Sequence, residues 1–240
     1  MRILAVVVTY NRVQLLRECI DALQAQLYNR FDILIVNNNS TDTTEEYCKS
    51  IVNDRIFYYN TGHNLGGAGG FSIGIKYALA HNYDWCWVMD DDTIAFNDSL
   101  SSLVNKISQS KNEMSFVASV VRWIDGSTCI MNRQAISTDW LGKNEELGNH
   151  LIKVTFSSFV STMINLKYAR IVGLPIAEMF IYGDDLEYTV RLSKIAQGYV
   201  DLDSAVIHKM GSNVSTDILN SPADRIDRFY YNYRNRIYID

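Results

Sequence analysis

Three consecutive carboxylates, Asp90-Asp91-Asp92, end the apolar run Trp85-Cys86-Trp87-Val88-Met89, which reads as a buried strand. Like charges side by side repel, so a cation is expected among them. Alternate side chains of an extended chain leave on the same side. Asp90 and Asp92 can therefore converge on one ion, while Asp91 points elsewhere or bonds the backbone. Hard oxygen ligands at i and i+2, on a loop leaving a strand, suit Mg²⁺ or Mn²⁺ carrying a phosphate-bearing substrate. The triplet alone also fits a solvated acidic turn that caps a helix near Asn97.

A second acidic group, Gly183-Asp184-Asp185-Leu186-Glu187, stands at a predicted helix start. Capping and the macrodipole favour carboxylates there whatever their use. Glu187 and Arg191 are four residues apart and can pair, and a carboxylate held at a pocket mouth can serve as a general base. His208, at a predicted strand end, is either a structural imidazole or the ligand that completes an octahedral site begun by Asp90 and Asp92. Between Gly62 and Phe71 lie five glycines in ten residues, ahead of a helix. They let backbone approach a ligand and leave N–H groups to cradle anionic oxygen, unless the segment is simply a flexible turn. No Gly-Lys-Ser/Thr follows, which excludes a Walker loop, and the position after a third strand argues against a dinucleotide fingerprint.

Elements that position these groups are legible in the periodicity. Continuous apolar runs at residues 3–8, 31–36, 56–59 and 85–89 read as strands covered on both faces. Between them, spacings of three and four (Val13, Leu16, Ile20, Leu23, Leu27) predict a helix over 13–27, and further helices follow the second strand and occupy 70–81. Such alternation implies a parallel sheet with right-handed crossovers and ligands at the carboxyl ends of its strands. Beyond residue 95 the pattern predicts a helix over 98–107, strands over 115–122, 154–164 and 199–207, and a helix over 184–196. Residues 123–150 hold no clear period and read partly as mobile loop. Ser221-Pro222 opens a last helix rich in aromatics and arginine, and Asp240 stands mid-pattern.

The chain has 240 residues, 48% hydrophobic and 20% charged, with a net charge of −5. This is the composition of a soluble globular domain, and it argues against a nucleic-acid partner, which calls for a basic face. Four well-separated cysteines without metal spacing read as reduced thiols of a cytosolic protein. The apolar start passes directly into Thr9-Tyr10-Asn11-Arg12 with no cleavage site, as a first strand rather than a signal peptide. No stretch is long and apolar enough for a membrane span.

In their order along the chain, five motifs resemble the inverting family 2 glycosyltransferases of the GT-A fold. They are Val6-Val7-Val8-Thr9-Tyr10-Asn11-Arg12, Val36-Asn37-Asn38-Asn39-Ser40-Thr41-Asp42, Asn64-Leu65-Gly66-Gly67-Ala68-Gly69-Gly70-Phe71, the aspartate triplet, and Gly183-Asp184-Asp185-Leu186-Glu187. The glycine segment and the acidic patterns look most like the bacterial galactofuranosyltransferase branch, with rhamnosyltransferases as near relatives. The resemblance implies an α/β GT-A fold: a Rossmann-like, mostly parallel sheet flanked by helices, with a smaller mixed acceptor-side region. It implies a donor-binding half over 1–95, an acceptor and catalytic half over 96–215, and a C-terminal helix over 216–240.

Thr9, Tyr10, Arg12, Asn37, Asn39, Asn64, Gly66, Gly67, Gly70, Asp90 and Asp91 would then bind a UDP- or dTDP-sugar, Asn37 standing where many relatives carry a base-reading aspartate. Asp90, Asp92 and His208 would hold Mn²⁺ or Mg²⁺. Asp185 would be the catalytic base, and Asp184 would orient it or contact the acceptor, a glycan or lipid-linked glycan. The basic last helix, with Arg225, Arg228, Arg234 and Arg236, either meets the inner face of the cell membrane or packs its tyrosines inward. Two other classes are open to the residues: a sugar-nucleotide-binding module without activity, and a nucleotidyltransferase. The first predicts a broken acidic site and the second a glycine-rich first turn, and neither is present.

Overall fold

The structure, a computed structural model, describes residues 1–110, 113–140, 147–214, 217–220 and 223–239. Its first half alternates β1 (Ile3–Thr9), α1 (Val13–Gln24), β2 (Asp32–Asn37), α2 (Thr44–Ile51), β3 (Ile56–Asn60), α3 (Gly66–Ala80) and β4 (Trp85–Asp90). The second half holds β5 (Thr93–Ala95), α4 (Ser99–Gln109), β6 (Phe116–Arg122), β7 (Ala135–Ile136), β8 (Leu151–Phe156), β9 (Thr162–Asn165), α5 (Leu166–Val172), α6 (Asp184–Ser193), β10 (Gly198–His208) and α7 (Phe229–Ile239). All described strands join one sheet in the order β3-β2-β1-β4-β9-β6-β10-β8-β7, with β5 on β10. From β3 to β4 every pairing is parallel. Mixing begins at β9, which runs antiparallel to both β4 and β6.

All seven residues of β1 are buried, and their alternation divides the core. Ile3, Ala5 and Val7 face α1, α2 and α4 through Leu16, Ile20, Cys48 and Leu103. Leu4, Val6 and Val8 face α3 and α6 through Phe71, Ile75, Tyr188 and Leu192. Each fully buried aliphatic side chain contributes about 1.5–3 kcal/mol, so this two-faced strand is the axis of the molecule. Its parallel neighbours β2 and β4 end level with it, Val8 facing Val36 and Asp90. Thr9, Asn37 and Asp90 are thereby brought to one rim of the sheet.

Several expectations are corrected. The helix predicted from residue 70 begins at Gly66, so the glycine segment is its first turn. A Cβ at Gly70 would lie 2.5 Å from Val8 Cγ1, and one at Gly74 2.3 Å from Val6 Cγ1. These glycines let α3 lie directly on β1. Helix α1 stops at Gln24, leaving Leu27 68% exposed. The single strand expected over 154–164 is two, β8 and β9, separated by the serine-rich turn 157–161. Polar residues in a buried turn give no sign of the break, and Ser161, with φ 61°, sets β9 off from β8 while both strands run antiparallel to β6 and β10.

Within 123–150, the stretch without period, the described residues form a 3₁₀ turn at Ile130–Asn132 and the short strand β7. Residues 141–146, Ser221-Pro222, Asp240 and the side chain of Arg225 lie outside the described residues. Arg234, expected to face outward, is turned in, donating to the Glu178 carbonyl and lying over the Tyr231 ring at 5.0 Å. No helix among the described residues is long and apolar enough to cross a membrane.

Candidate active site

Asp90 is the last residue of β4, and the next two carboxylates follow in the turn into β5. Strand β10 runs antiparallel to β5 and pairs His208 with Thr93, which brings an imidazole across 116 residues of sequence to the triplet. One ligand atom each from Asp90, Asp92 and His208 lies within 4.8 Å of the others. His208 Nε2 is 3.0 Å from Asp92 Oδ1. Its Nδ1 is 2.7 Å from Asn132 Oδ1, an acceptor that favours the proton on Nδ1, so that the neutral imidazole would offer Nε2 to a cation. Asn132 is itself held, its Nδ2 donating to Ser158 Oγ at 2.9 Å. Two carboxylate oxygens and an oriented imidazole nitrogen fit a Mn²⁺- or Mg²⁺-sized hard cation.

The electrostatics agree. Burial, reinforced by the charge of Asp92, pushes Asp90 up to about 7. Burial also lifts Asp91 to about 6 against the opposing pull of Arg12. For Asp92 burial acts upward too, but the His208 bond and charge overcome it and hold the carboxyl below its usual range. His208, in turn, rises to about 10 through its bond to Asp92, despite its own burial. Asp90 and Asp91 thus resist ionisation beside the ionised Asp92, a repulsion that a divalent ion would relieve.

Of the two expectations for Asp91, that it points elsewhere or bonds the backbone, the first holds. Its oxygens accept from Thr9 Oγ1 at 2.7 Å and Arg12 Nη1 at 3.2 Å, and Arg12 Nη1 also lies 2.8 Å from Asp92 Oδ2. Thr9 and Arg12, expected along a nucleotide pocket, are therefore the groups that fasten the triplet to the end of β1. Asn37 is fully buried, with Oδ1 accepting from Ser40 N and Oγ, and Nδ2 donating to the Tyr58 hydroxyl. Its amide thereby shapes the 37–40 turn.

Of the backbone donors expected in the glycine segment, the Gly66 N–H bonds Asn64 Oδ1 and the Ala68 N–H bonds the Phe180 carbonyl. Gly66, with φ +68°, sits so close that a Cβ would be 2.1 Å from the Phe180 oxygen. Gly67 is half-buried, while Tyr10 and Asn39 are exposed at the rim.

The acid pair begins α6 behind Gly183, φ +86°. Burial raises Asp184 well above the carboxylate range, with Asp185 and then Asp90 adding repulsion. Asp185 is raised by burial too, and the amides of Leu186 and Phe159 work against the rise. Phe159 belongs to the same 157–161 turn that carries Ser158, so one turn touches the partner of the histidine and the second acid. Glu187 and Arg191 form the expected pair at 2.7 Å, facing away from this network. Asn132, Ser158 and Phe159 carry no sequence signal, because their contacts form only when distant segments meet.

The family model for glycosyl transferase family 2 matches residues 4–168. Galactofuranosyltransferase GlfT1 of Mycobacterium tuberculosis (strain ATCC 25618 / H37Rv) is 29% identical over 251 residues, covering 99% of this chain and 81% of that protein. GlfT1 of Mycolicibacterium smegmatis is 26% identical, covering 98% and 82%. Among solved structures, GalNAc-T7 with UDP, GalNAc and Mn²⁺ superposes with a TM-score of 0.70 at 15% identity, over 92% of this chain and 45% of its own. TarS 1-349 of S. aureus in complex with UDP-GlcNAc gives 0.67 at 15%, over 96% and 64%. The chain thus spans under two thirds of each of those two solved chains, which share its GT-A fold. With more than half of its 240 residues matched and its acids gathered at the rim of a GT-A sheet, the chain belongs to glycosyl transferase family 2 and is a glycosyltransferase.

Proposed function

We propose that this enzyme is an inverting, divalent-metal-dependent transferase that moves galactofuranose from UDP-galactofuranose to a hydroxyl of a bacterial surface-glycan acceptor. The observation that carries the sugar is the match to two galactofuranosyltransferases along almost the whole chain. UDP as the carrier is supported by the nucleotide bound in both structural neighbours. Asp90, Asp92 and His208 would hold Mn²⁺ or Mg²⁺, with Asn132 orienting the histidine. When bound there, the cation offsets the negative charge that develops on the departing diphosphate.

Asp185 takes the proton of the acceptor hydroxyl as that oxygen attacks the anomeric carbon opposite the leaving group. A single displacement inverts the stereocentre, by the same logic that separates inverting from retaining glycosidases. Asp184, buried and adjacent to Asp185 at the start of α6, orients the base or contacts the acceptor. Thr9 and Arg12 hold Asp91 and so fix the turn from which the two metal-side carboxylates project. A lipid-linked acceptor would be met at the inner face of the membrane, to which the exposed Arg236, Ile237 and Tyr238 of α7 are suited.

A five-membered sugar ring carries an exocyclic diol that a pyranose lacks, and a site built to bond those hydroxyls rejects analogues that leave its polar groups unpaired. The test is a panel of nucleotide sugars with Mn²⁺, scored for release of the nucleoside diphosphate. UDP-galactofuranose is expected to outperform UDP-galactopyranose by orders of magnitude. Preference for dTDP-rhamnose would replace the donor and leave the site's geometry intact.

A further inference from the structure

The segment that delivers the acid pair has a backbone held outside ordinary conformations. Phe180 has φ 62° and ψ −61°, and the Ile181 N–H donates back to the Met179 carbonyl at 2.7 Å. This is a γ-turn of the positive-φ kind, which is rare and strained. Tyr182 follows with φ 66° and Gly183 with φ 86°. Bulky side chains seldom tolerate such angles, and the conformation persists only where its surroundings over-determine it.

Those surroundings grip the turn from two sides. Helix α3 contributes the Ala68 N–H, 3.1 Å from the Phe180 carbonyl. Helix α7 contributes Asn235, whose side chain is 2% exposed. Asn235 Nδ2 donates to the carbonyls of Met179, Ile181 and Tyr182 at 2.9, 3.1 and 2.6 Å, two hydrogens shared among three acceptors that bracket the turn. Arg234 donates to Asn235 Oδ1 at 3.0 and 2.8 Å, which sets the direction of the amide. Tyr231 stacks on Phe180 with ring centroids 4.7 Å apart. A Cβ at Gly183 would lie 2.9 Å from Ile239 Cδ1, so the helix closes over a glycine. Only Phe229 and Asn235 of this helix are buried among its described residues. Its docking therefore rests on a directional amide more than on apolar area.

We propose that α7 is a clamp for the acid pair, and that Asn235 is the positioning residue that holds the strained 179–183 turn and, through it, Asp184 and Asp185. This rests on the reading of Asp185 as the base. The last helix is then part of the catalytic machinery, although none of its residues reaches the metal-side triad.

Asn235→Asp in the full chain keeps the size and the acceptor for Arg234 but has no hydrogen to donate. Release of UDP from UDP-galactofuranose in Mn²⁺ is expected to slow by roughly 10- to 100-fold in kcat, the scale on which small misplacement costs rate. Donor KM and the affinity for Mn²⁺ with UDP should stay within about twofold, as when an interaction made only in the transition state is lost. Backbone hydrogen exchange should accelerate over 177–186 and remain unchanged over 85–92. Unchanged kcat and exchange would overturn the clamp, as would faster exchange throughout the chain together with lost UDP binding. If Asn235→Asp does not fold, Tyr231→Leu keeps the amide and removes the stacking on Phe180 together with the ring under Arg234. It should give the same pattern at smaller size, and no change in either readout would overturn the proposal. Asp185→Asn separates the two ideas. Normal turnover there, with faster exchange in Asn235→Asp, would overturn the base; an inert Asp185→Asn, with normal exchange in Asn235→Asp, would overturn the clamp.

Discussion

The parallel half of the sheet, β3 to β4, and the mixed half beyond it hold their functional groups by different forces. In the first, distance is set by contact: Gly70 and Gly74 bring α3 against Val8 and Val6 with no room for a methyl group. In the second, it is set by buried polar bonds. Ser119 Oγ meets Ser161 and Ser204 Oγ at 2.7 Å, Trp87 Nε1 reaches Ser161 Oγ at 2.9 Å, and Asn132 ties His208 to Ser158. Close apolar contact resists deformation in every direction, whereas a hydrogen bond fixes orientation as well. The half that must aim an imidazole and a carboxylate is the half built from hydrogen bonds. Variants in the contact-built half should thus cost stability, and variants in the polar half should cost alignment.

The largest effect belongs to the acid pair. Asp185→Asn is expected to lower turnover by about 10²- to 10⁴-fold, the usual contribution of a general base, while calorimetry still detects Mn²⁺-dependent UDP binding. Activity near that of the wild type would move the base to Asp184 or Glu187. Next comes the metal side: a chelator should abolish turnover, and Asp92→Ala should weaken Mn²⁺ and UDP binding more than His208→Ala, since it also removes one of the two carboxylates that hold Arg12. Full activity in chelator would remove the metal from the mechanism.

Asn132→Leu sharpens the comparison, because Asn132 holds His208 through a buried hydrogen bond. Its expected effect is a loss of roughly 10- to 100-fold in Mn²⁺ affinity, the scale seen when the partner of a metal-bound histidine is removed, read by Mn²⁺ titration of the folded protein. An unchanged affinity would show that the hydrogen bond orients nothing. Smallest for function is Gly74→Ala, whose methyl group meets Val6. Overpacking of this kind costs about 1–3 kcal/mol, so thermal unfolding should shift down while metal affinity stays at the wild-type level. A variant that kept its melting temperature and lost metal binding would break the contrast between the halves.

How legible each region is follows from the same contrast. The run Trp85 to Met89 and its acidic end predicted strand β4, and the acids at i and i+2 do lie with His208 in one cluster. The pairing of Glu187 with Arg191 was readable too, since it spans one helical turn. The turn 157–161 was not, because hydroxyls that bond distant partners look the same in sequence as hydroxyls in water. The glycines of α3 announced close approach without naming the neighbour, which for Gly70 and Gly74 is strand β1 and for Gly66 is Phe180.

By itself, the sequence determined the alternation of strands and helices, the rim at which the acids gather, and the family. Local periodicity and runs of like charge are properties of neighbouring residues, and physics at short range is enough to read them. Only the tertiary structure decided that Asp91 is held by Thr9 and Arg12, that Asn132 aims His208, and that Asn235 braces the turn before Asp184. Each of those bonds joins residues 50 or more positions apart, and no spacing along the chain encodes which buried donor will meet which acceptor once the sheet has closed.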